Sequence, residues 1–558
     1  MTLFPLKKLL LLLSISLHSL SVLFGQTDNV KASHPIYSFL KKMQVQGALK
    51  NYDDMIIPFS RNEISSYLSQ IDDGRNNLSS SDSEFLDRMK IKLTLDDEDK
   101  INVFENFPEE FGYNLTADKE KHLYNYNDSL ITFYIDPMVD YKLLNSELPN
   151  GNASLLSYGG NLRGSISNWL GFYFEASNGV VWGNRNAARL DKRVEQSFTF
   201  NDTKINYFDG TQGYVRFQKD IVSFQLGRER ILWGRGYINK MILSNNPPLF
   251  DFIKFDLSYR TLKYNFIHAW LVQPKTTFFI DSLSGEGRNK SSKYLAASRL
   301  SYTPSTDLSF GISQIIIYAN RPFEASYLNP FLLWESAQRS LNDLDNSFIS
   351  LDSRYKILNG LEVNASVLID DIHFGELFKN WATIHNRIAW QVGAMVTSPL
   401  SFNDLTLKLE YLQIRPYIFI HPGLGESLTY TNNRYMLGYD LSPNSVRLSA
   451  ELEYRLSGRT NLVVRFDHSI HGNNIYDEKG KIIMNAGGNI YENNDINDSQ
   501  IAYLLDGNRE TTDFLSINFQ YEFLYGIYFE AEYQFRKNVY LNNKTSQNIF
   551  WGSLALNF

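Results

Sequence analysis

Residues 515–523 read Leu-Ser-Ile-Asn-Phe-Gln-Tyr-Glu-Phe, with an apolar side chain at every odd position and a polar one at every even position. Successive side chains of a strand point to opposite faces, so one face of this segment is greasy and the other wet. The pattern returns at 446–455, where Val446, Leu448, Ala450, Leu452 and Tyr454 alternate with Arg447, Ser449, Glu451, Glu453 and Arg455, and again from Ile527 to Arg536. A soluble sandwich also alternates, but its second sheet needs an apolar face to pack on. Charged faces on strand after strand instead suit a closed wall with hydrocarbon outside and water inside.

About eighteen such segments, each long enough to cross a bilayer at a tilt, can be marked between residues 129 and 558. They run from 129–144 through 221–231, 307–319 and 445–457 to 547–558. Their connections alternate in length. Short turns such as Lys219-Asp220, Asn359-Gly360, Ser457-Gly458-Arg459 and Tyr525-Gly526 are followed by long stretches at 183–211, 274–291, 320–346, 417–444 and 471–510. Outer-membrane barrels have short periplasmic turns and long external loops, so the fold class expected is a mainly-β transmembrane antiparallel barrel. An even strand number leaves both chain ends on the periplasmic side. The final segment, Phe550 to Phe558, alternates and ends on an aromatic, which suits recognition by the barrel-assembly machinery.

Upstream the period changes. Lys7 and Lys8 precede an apolar run from Leu9 to Phe24 that is too short and too Ser-interrupted for a membrane helix; residues 1–25 read as a secretory signal peptide. Residues 34–110 carry helical spacing: Ile36, Phe39, Leu40 and Met43, then capping-box spacings at Ser60–Glu63 and Ser81–Glu84 before further apolar residues. A small periplasmic helical domain is expected there, ahead of a barrel at 129–558. The chain has no Cys, so no disulfide staples it, and aromatic residues make up 14% of it, with 34 Tyr and 38 Phe. A net charge of −7 argues against nucleic acid, which is bound through clustered Lys and Arg.

One strand ends oddly. Residues 224–250, FQLGRERILWGRGYINKMILSNNPPLF, begin with Phe224 and Leu226 on one parity, then place Arg228 and Arg230 on it. Running outward from a short turn, this strand reaches the external interface near Arg228, so the cluster after it sits at the rim or folds into the mouth. Gly234 and Gly236 allow tight turns, and Pro247-Pro248 cannot continue a paired strand. Loop 320–346 leaves from the same side. Aromatic faces stack on sugar rings and Arg and Asn bond hydroxyls, so Trp233, Arg235, Asn245, Asn246, Arg321, Tyr327, Asn329 and Trp334 are the candidate polysaccharide-binding residues. The competing reading is structural: Arg228 and Glu229 brace an inward loop, and Trp233 belongs to an interface belt.

Glu451, Glu453, Arg455, Arg465, Glu530, Glu532 and Arg536, with Asp467, face the lumen in both signs, which fits a cross-linked interior better than a selectivity ring. Asp370, Asp371, His373 and Glu376 could hold a cation, but acidic loop ends are usually solvated; no metal and no cofactor are expected. Asp467-His468-Ser469 contains triad residue types, yet strand neighbours point to opposite faces and cannot converge. An enzyme is therefore not expected.

These residues resemble the capsule assembly protein Wzi family: Gly227-Arg228-Glu229 with Trp233-Gly234-Arg235-Gly236, Ser244-Asn245-Asn246-Pro247-Pro248, Tyr327-Leu328-Asn329-Pro330, and the pattern from Tyr37-Ser38-Phe39-Leu40 to Gly47. The resemblance implies an eighteen-stranded Gram-negative outer-membrane barrel with a periplasmic helical bundle, closed to free conduction, that binds capsular polysaccharide at the cell surface. Capsular or other surface polysaccharide, outer-membrane lipid and the assembly machinery are the partners expected. A substrate-gated porin or transporter with the helical domain as a plug is the alternative.

Overall fold

The computed structural model describes residues 26–93, 99–147, 151–202, 204–273, 279–280, 287–288, 292–329, 331–343, 345–371, 380–421, 425–495 and 498–558. The signal-peptide residues, and His373 and Glu376 of the acidic cluster, lie outside them. Eighteen antiparallel strands close a barrel. They are β1 Ile131–Ser146, β2 Gly151–Ile166, β3 Leu170–Gly183, β4 Tyr207–Lys219, β5 Val222–Arg228, β6 Asp251–Tyr259, β7 Leu262–Leu271, β8 Lys293–Tyr302, β9 Leu308–Ala319, β10 Asn346–Leu358, β11 Leu361–Asp371, β12 Arg387–Thr397, β13 Leu405–Ile414, β14 Ser445–Ser457, β15 Thr460–Asn473, β16 Asn508–Leu524, β17 Ile527–Tyr540 and β18 Asn543–Asn557. Each pairs with its chain neighbour, and β18 closes on β1 with Ile549 opposite Ser146. Closure leaves no sheet edge, which hydrocarbon would not tolerate.

The alternation sorts as its period requires. Leu448, Leu452, Ile517 and Phe523 are exposed on the outer face, whereas Arg447, Ser449, Arg455, Ser516 and Glu522 are buried. Strand β5 is shorter than the 221–231 expected and stops at Arg228; β4 begins earlier than expected, at Tyr207.

Three helices, α1 Ile36–Gln46, α2 Arg61–Asp73 and α3 Ser80–Leu93, share a core of Phe39, Leu40, Met43, Ile64, Leu68, Phe85 and Met89. The Ser60–Glu63 capping box is complete: Ser60 Oγ accepts the Glu63 N–H at 3.3 Å and the Glu63 carboxylate accepts the Ser60 N–H at 2.9 Å. The second box is displaced from its expected place. Ser81 lies inside α3, and Ser79 Oγ accepts the Asp82 N–H at 3.1 Å instead.

The helices occupy the short-turn end of the barrel. The Gly360 N–H donates to the Val45 carbonyl at 2.9 Å, the Gly458 N–H donates to Glu84 at 2.9 Å, and Ser79 Oγ donates to Asp404 at 2.5 Å. Ion pairs then tie them to the inner wall: Lys41 to Glu362 of β11 at 2.6 Å, Arg88 and Lys92 to Glu522 of β16 at 2.8 and 2.5 Å. The segment before α1 continues the contact on the far side. The Thr27 N–H donates to Ser165 Oγ at 2.8 Å, the Asn29 N–H to the Tyr214 hydroxyl at 2.6 Å, and Lys31 pairs with Glu175 at 2.5 Å. Buried pairs of this kind add little net stability but fix one position, because any shift leaves charges unpaired.

The two ends of the barrel make opposite expectations. An epitope tag after Lys479, in the long connection between β15 and β16, should be reached by antibody on intact cells, and one after Gly458 should not. Labelling at Gly458 with silence at Lys479 would reverse the orientation.

Candidate functional site

At the end of β5 the chain leaves the wall and turns inward. Arg228 stays at the rim, its Nε and Nη2 on the two carboxylate oxygens of Asp251 at 2.8 and 2.9 Å. Asp251 opens β6 directly opposite Arg228, so the wall resumes at the adjacent position and residues 229–250 are an insert into the lumen. Glu229, 5% exposed, accepts from Asn29 Nδ2 and Gln225 Nε2, both at 2.8 Å. Leu232 and Trp233 then form a two-residue ladder with Ile57 and Ile56, linking insert to helical domain. Gly234 turns the chain at φ +157°; a Cβ there would stand 2.7 Å from the Met241 nitrogen.

Arg235 follows in the interior. Its Nε donates to Asp352 of β10 at 2.8 Å, Nη1 to Asp53 of the segment between α1 and α2, and Nη2 to Ser309 Oγ of β9 at 3.0 Å. Arg299 of β8 shares Asp352 at 2.8 and 3.0 Å. Two guanidinium groups and two carboxylates thus join insert, plug and wall. Burial alone would raise the Asp53 carboxyl, but Arg235 and Arg299 beside it hold it well below the usual range.

Glu229 has no such neighbour in contact, and burial pushes its carboxyl up to about 7. A raised carboxyl favours the folded state while it is protonated, below the unfolded value. That contribution, up to roughly 3 kcal/mol, is lost as pH rises through about 7. Melting of the purified barrel should therefore fall between pH 5 and pH 8 by more than in Glu229→Gln; parallel pH curves would show that Glu229 stays charged throughout.

The lumen has two halves. Along β6 to β13 the mouth-side part of the inward row is apolar, including Phe252, Ile267, Leu295, Ile315, Ile317, Phe348, Leu368 and Leu412, and it packs on Trp233, Met241, Ile242 and Leu243 of the insert and on Ile418, Phe419, Tyr430 and Leu437 of the connection after β13. The sequence carried a signal of this that the period-two reading passed over. Leu295-Ala296-Ala297 and Ile315-Ile316-Ile317 do not alternate, as befits strands buried on both faces.

Along β15 to β17 the inward row is wet. Asn518 Nδ2 donates to Glu530 at 2.7 Å and to Glu532 at 3.1 Å, Gln520 Nε2 to Glu530 at 3.0 Å, and Gln534 Nε2 to Glu532 at 2.6 Å. Gln520 and Arg536 are solvent-exposed. Arg465 binds Asp467 at 2.9 Å and reaches Asn239 of the insert at 3.1 Å. Glu451 and Glu453 share Lys408 at 2.8 and 3.0 Å, and Arg455 lies over the Phe85 ring at 3.7 Å, against the helices. The connection after β3 roofs this side: Ala187, Val194 and Phe200 pack on Leu144, Leu155 and Ile549, Arg193 pairs with Asp140 at 2.7 Å, and Gln196 Nε2 donates to the Asn246 carbonyl at 2.7 Å.

The candidate binding residues fall in three places. Asn245 is exposed at the mouth, and Asn246 is half-buried beside it with its Nδ2 on the Met436 carbonyl at 3.0 Å. Trp233, 1% exposed, and Arg235 lie inside the lumen. Arg321, Tyr327, Asn329 and Trp334 are on the outside of the wall: Arg321 and the Tyr327 hydroxyl both donate to Asp345, at 2.6 Å to the same oxygen, and Trp334 Nε1 donates to the Asn329 carbonyl at 3.3 Å. The triad-like residues diverge as their spacing requires. Asp467 faces in to Arg465, while His468 meets Asp513 at 2.7 Å, and neither approaches a nucleophile–base arrangement. Asp370 accepts the Phe419 N–H at 2.7 Å.

Closed wall, plugged short-turn end and roofed mouth define a class, the outer-membrane β-barrel whose lumen is filled by its own chain. A family model described as capsule assembly protein Wzi matches residues 149–548, and the chain belongs to that family. Among solved structures, the Escherichia coli outer-membrane protein Wzi, involved in group 1 capsule assembly and described as a carbohydrate-binding β-barrel, superposes with a TM-score of 0.58 at 11% identity, covering 95% of this chain and 99% of that one. Pseudomonas aeruginosa OprD gives 0.42 at 11% identity over 76% of this chain and 93% of its own, and OpdK with vanillate 0.43 at 9% over 76% and 99%. No curated sequence relative matches. The protein is an outer-membrane barrel of capsule assembly.

Proposed function

We propose that this barrel binds capsular or other surface polysaccharide without catalysis, and that the wet crevice along β15 to β17, entered past Asn245, is where the glycan is held. The observation that carries this is the solvent-reached row of Asn518, Gln520, Glu530, Glu532 and Arg536, facing a mouth side of β6 to β13 that is filled by apolar side chains. Amides and carboxylates at fixed separations suit sugar hydroxyls, and a guanidinium suits an acidic sugar. In this reading Trp233 and Arg235 brace the insert, and Asn245 and Asn246 stand at the entrance. The helical plug is assigned to the periplasm, residues 1–25 to export, and the β18 strand to the assembly machinery.

Cells carrying Asn518→Ala, Gln520→Ala and Arg536→Ala together should assemble a heat-resistant barrel yet shed polysaccharide into the medium as cells lacking the protein do. Normal retention by a well-folded triple variant would remove the crevice from the reading. The porin alternative is favoured by one feature, that beyond the chain leading into β1 the plug is tied to the inner wall by hydrogen bonds and ion pairs, and a conductance measurement separates the two readings.

A further inference from the structure

The connection between β9 and β10 does not cross the mouth. It folds down the outside of the wall, where Tyr327 and Trp334 are buried against Phe266 of β7, Tyr294 and Ala296 of β8, and Ile316 and Tyr318 of β9. Those wall residues belong to the outward row. They share the parity of the exposed Phe310 and Ile312, whereas Ser309 and Ile315 point inward, to Arg235 and to the apolar core.

The descent reaches Gln314, whose Nε2 donates to the Leu332 carbonyl at 3.0 Å and whose Oε1 accepts the Trp334 N–H at 3.2 Å. Gln314 is the seventh of the twelve residues of β9 and is in register through the ladder with Ser298 and Phe266. Phe266 is midway along β7, and β7 and β8 have ten residues each. A tilted strand needs about 9–11 residues to cross a bilayer, so this wall has none to spare and the level of Gln314 is near mid-membrane.

We propose that residues 323–329 and 331–341 form a strap embedded in the outer leaflet, with lipid acyl chains as its partner. Phe331 is 95% exposed and Leu333 73%, and they continue the apolar outer face of Leu300, Phe310 and Ile312. Without the strap in the membrane, the apolar wall on this side would stop at Ile312, about half of the ~25 Å band a barrel presents to lipid. Irregular backbone persists in hydrocarbon only where its polar groups are satisfied. Here the Phe331 N–H donates to Asn329 Oδ1 at 3.0 Å, and the Leu332 N–H and Trp334 Nε1 donate to the Asn329 carbonyl at 3.4 and 3.3 Å. The Leu333 carbonyl accepts the Ser336 and Ala337 N–H groups at 3.1 Å. This accounts for a glutamine in the outward row: Gln314 serves the strap with both ends of its amide. The polar face, Glu335 paired with Arg339 at 2.8 Å, lies by Ser347 at the upper end of β10, at headgroup level.

The chain has no Cys, so single substitutions can carry a spin label in the full mature protein, reconstituted in phosphatidylcholine vesicles. Relaxation by oxygen, which concentrates in hydrocarbon, is compared with relaxation by a water-soluble nickel chelate. A label at Leu333→Cys should give an oxygen-to-nickel ratio matching Ile312→Cys on the bare wall and several-fold above Lys479→Cys in an external loop. Phe331→Cys repeats the reading should the first variant fold poorly. A ratio matching Lys479→Cys would put the strap in water and overturn the proposal. So would shielding from both agents together with a dimer in sedimentation, which would make a second copy the occupant.

Discussion

Arg235→Ala should lower the unfolding free energy of the barrel by about 3–5 kcal/mol, because truncating one member of a buried charge cluster strands the others. Without the guanidinium, Asp53 loses its direct partner and Asp352 keeps only Arg299, while the Ser309 hydroxyl loses a donor. Arg235 also joins plug to insert, so the loss should appear first as release of the N-terminal region, seen as faster amide exchange around Asp53 and Ile56. Arg235→Lys should recover only part of the loss, since an ammonium cannot hold Asp53, Asp352 and Ser309 in one plane. An Arg235→Ala barrel melting within a degree of the parent would mean that the cluster is dispensable.

The second large effect concerns conduction. In planar bilayers the mature chain should pass little steady current, because α1 to α3 close the short-turn end and the insert and the connection after β13 pack against the apolar mouth side of β6 to β13. Deleting residues 34–110 removes Arg88 and Lys92 from Glu522 and Lys41 from Glu362, leaving the wet side of the lumen open below Asn518. Steady channels should then appear, with the insert 229–250 still blocking the apolar side. Large stable channels from the mature chain itself would favour the porin reading, and silence from the folded deletion would show that the roof closes the barrel by itself.

The barrel was legible because hydrophobic alternation is a local property. Leu515 to Phe523 states which side chains meet hydrocarbon, and the turns at Asn359-Gly360 and Tyr525-Gly526 state where the chain reverses. Strand number and closure follow, since an open edge in lipid would leave backbone groups unpaired. The helical domain was legible for the same reason, and its one displaced cap, Ser79 in place of Ser81, reflects how many serines at 79–83 could serve.

The site was less so. That 224–250 is anomalous can be read from Arg228, Glu229 and Trp233, but whether a long connection folds into the lumen, over the mouth or down the outer wall is not encoded in its own pattern. Trp233 and Trp334 have the same side chain. One is buried against Ile56 and Met55 inside the barrel and the other against Ile316 and Tyr327 outside it. What chose between those places is complementarity with residues outside the connection itself: the distant Asp53 and Asp352 for Arg235, and Gln314 of the preceding strand for the backbone beside Trp334. Faces, turns and membrane class are settled by neighbours within a few residues, where periodicity suffices. The path of each connection is settled by partners outside it, more than a hundred residues away for Arg235 and about twenty for the backbone at Trp334, which come into reach only when the wall strands have paired.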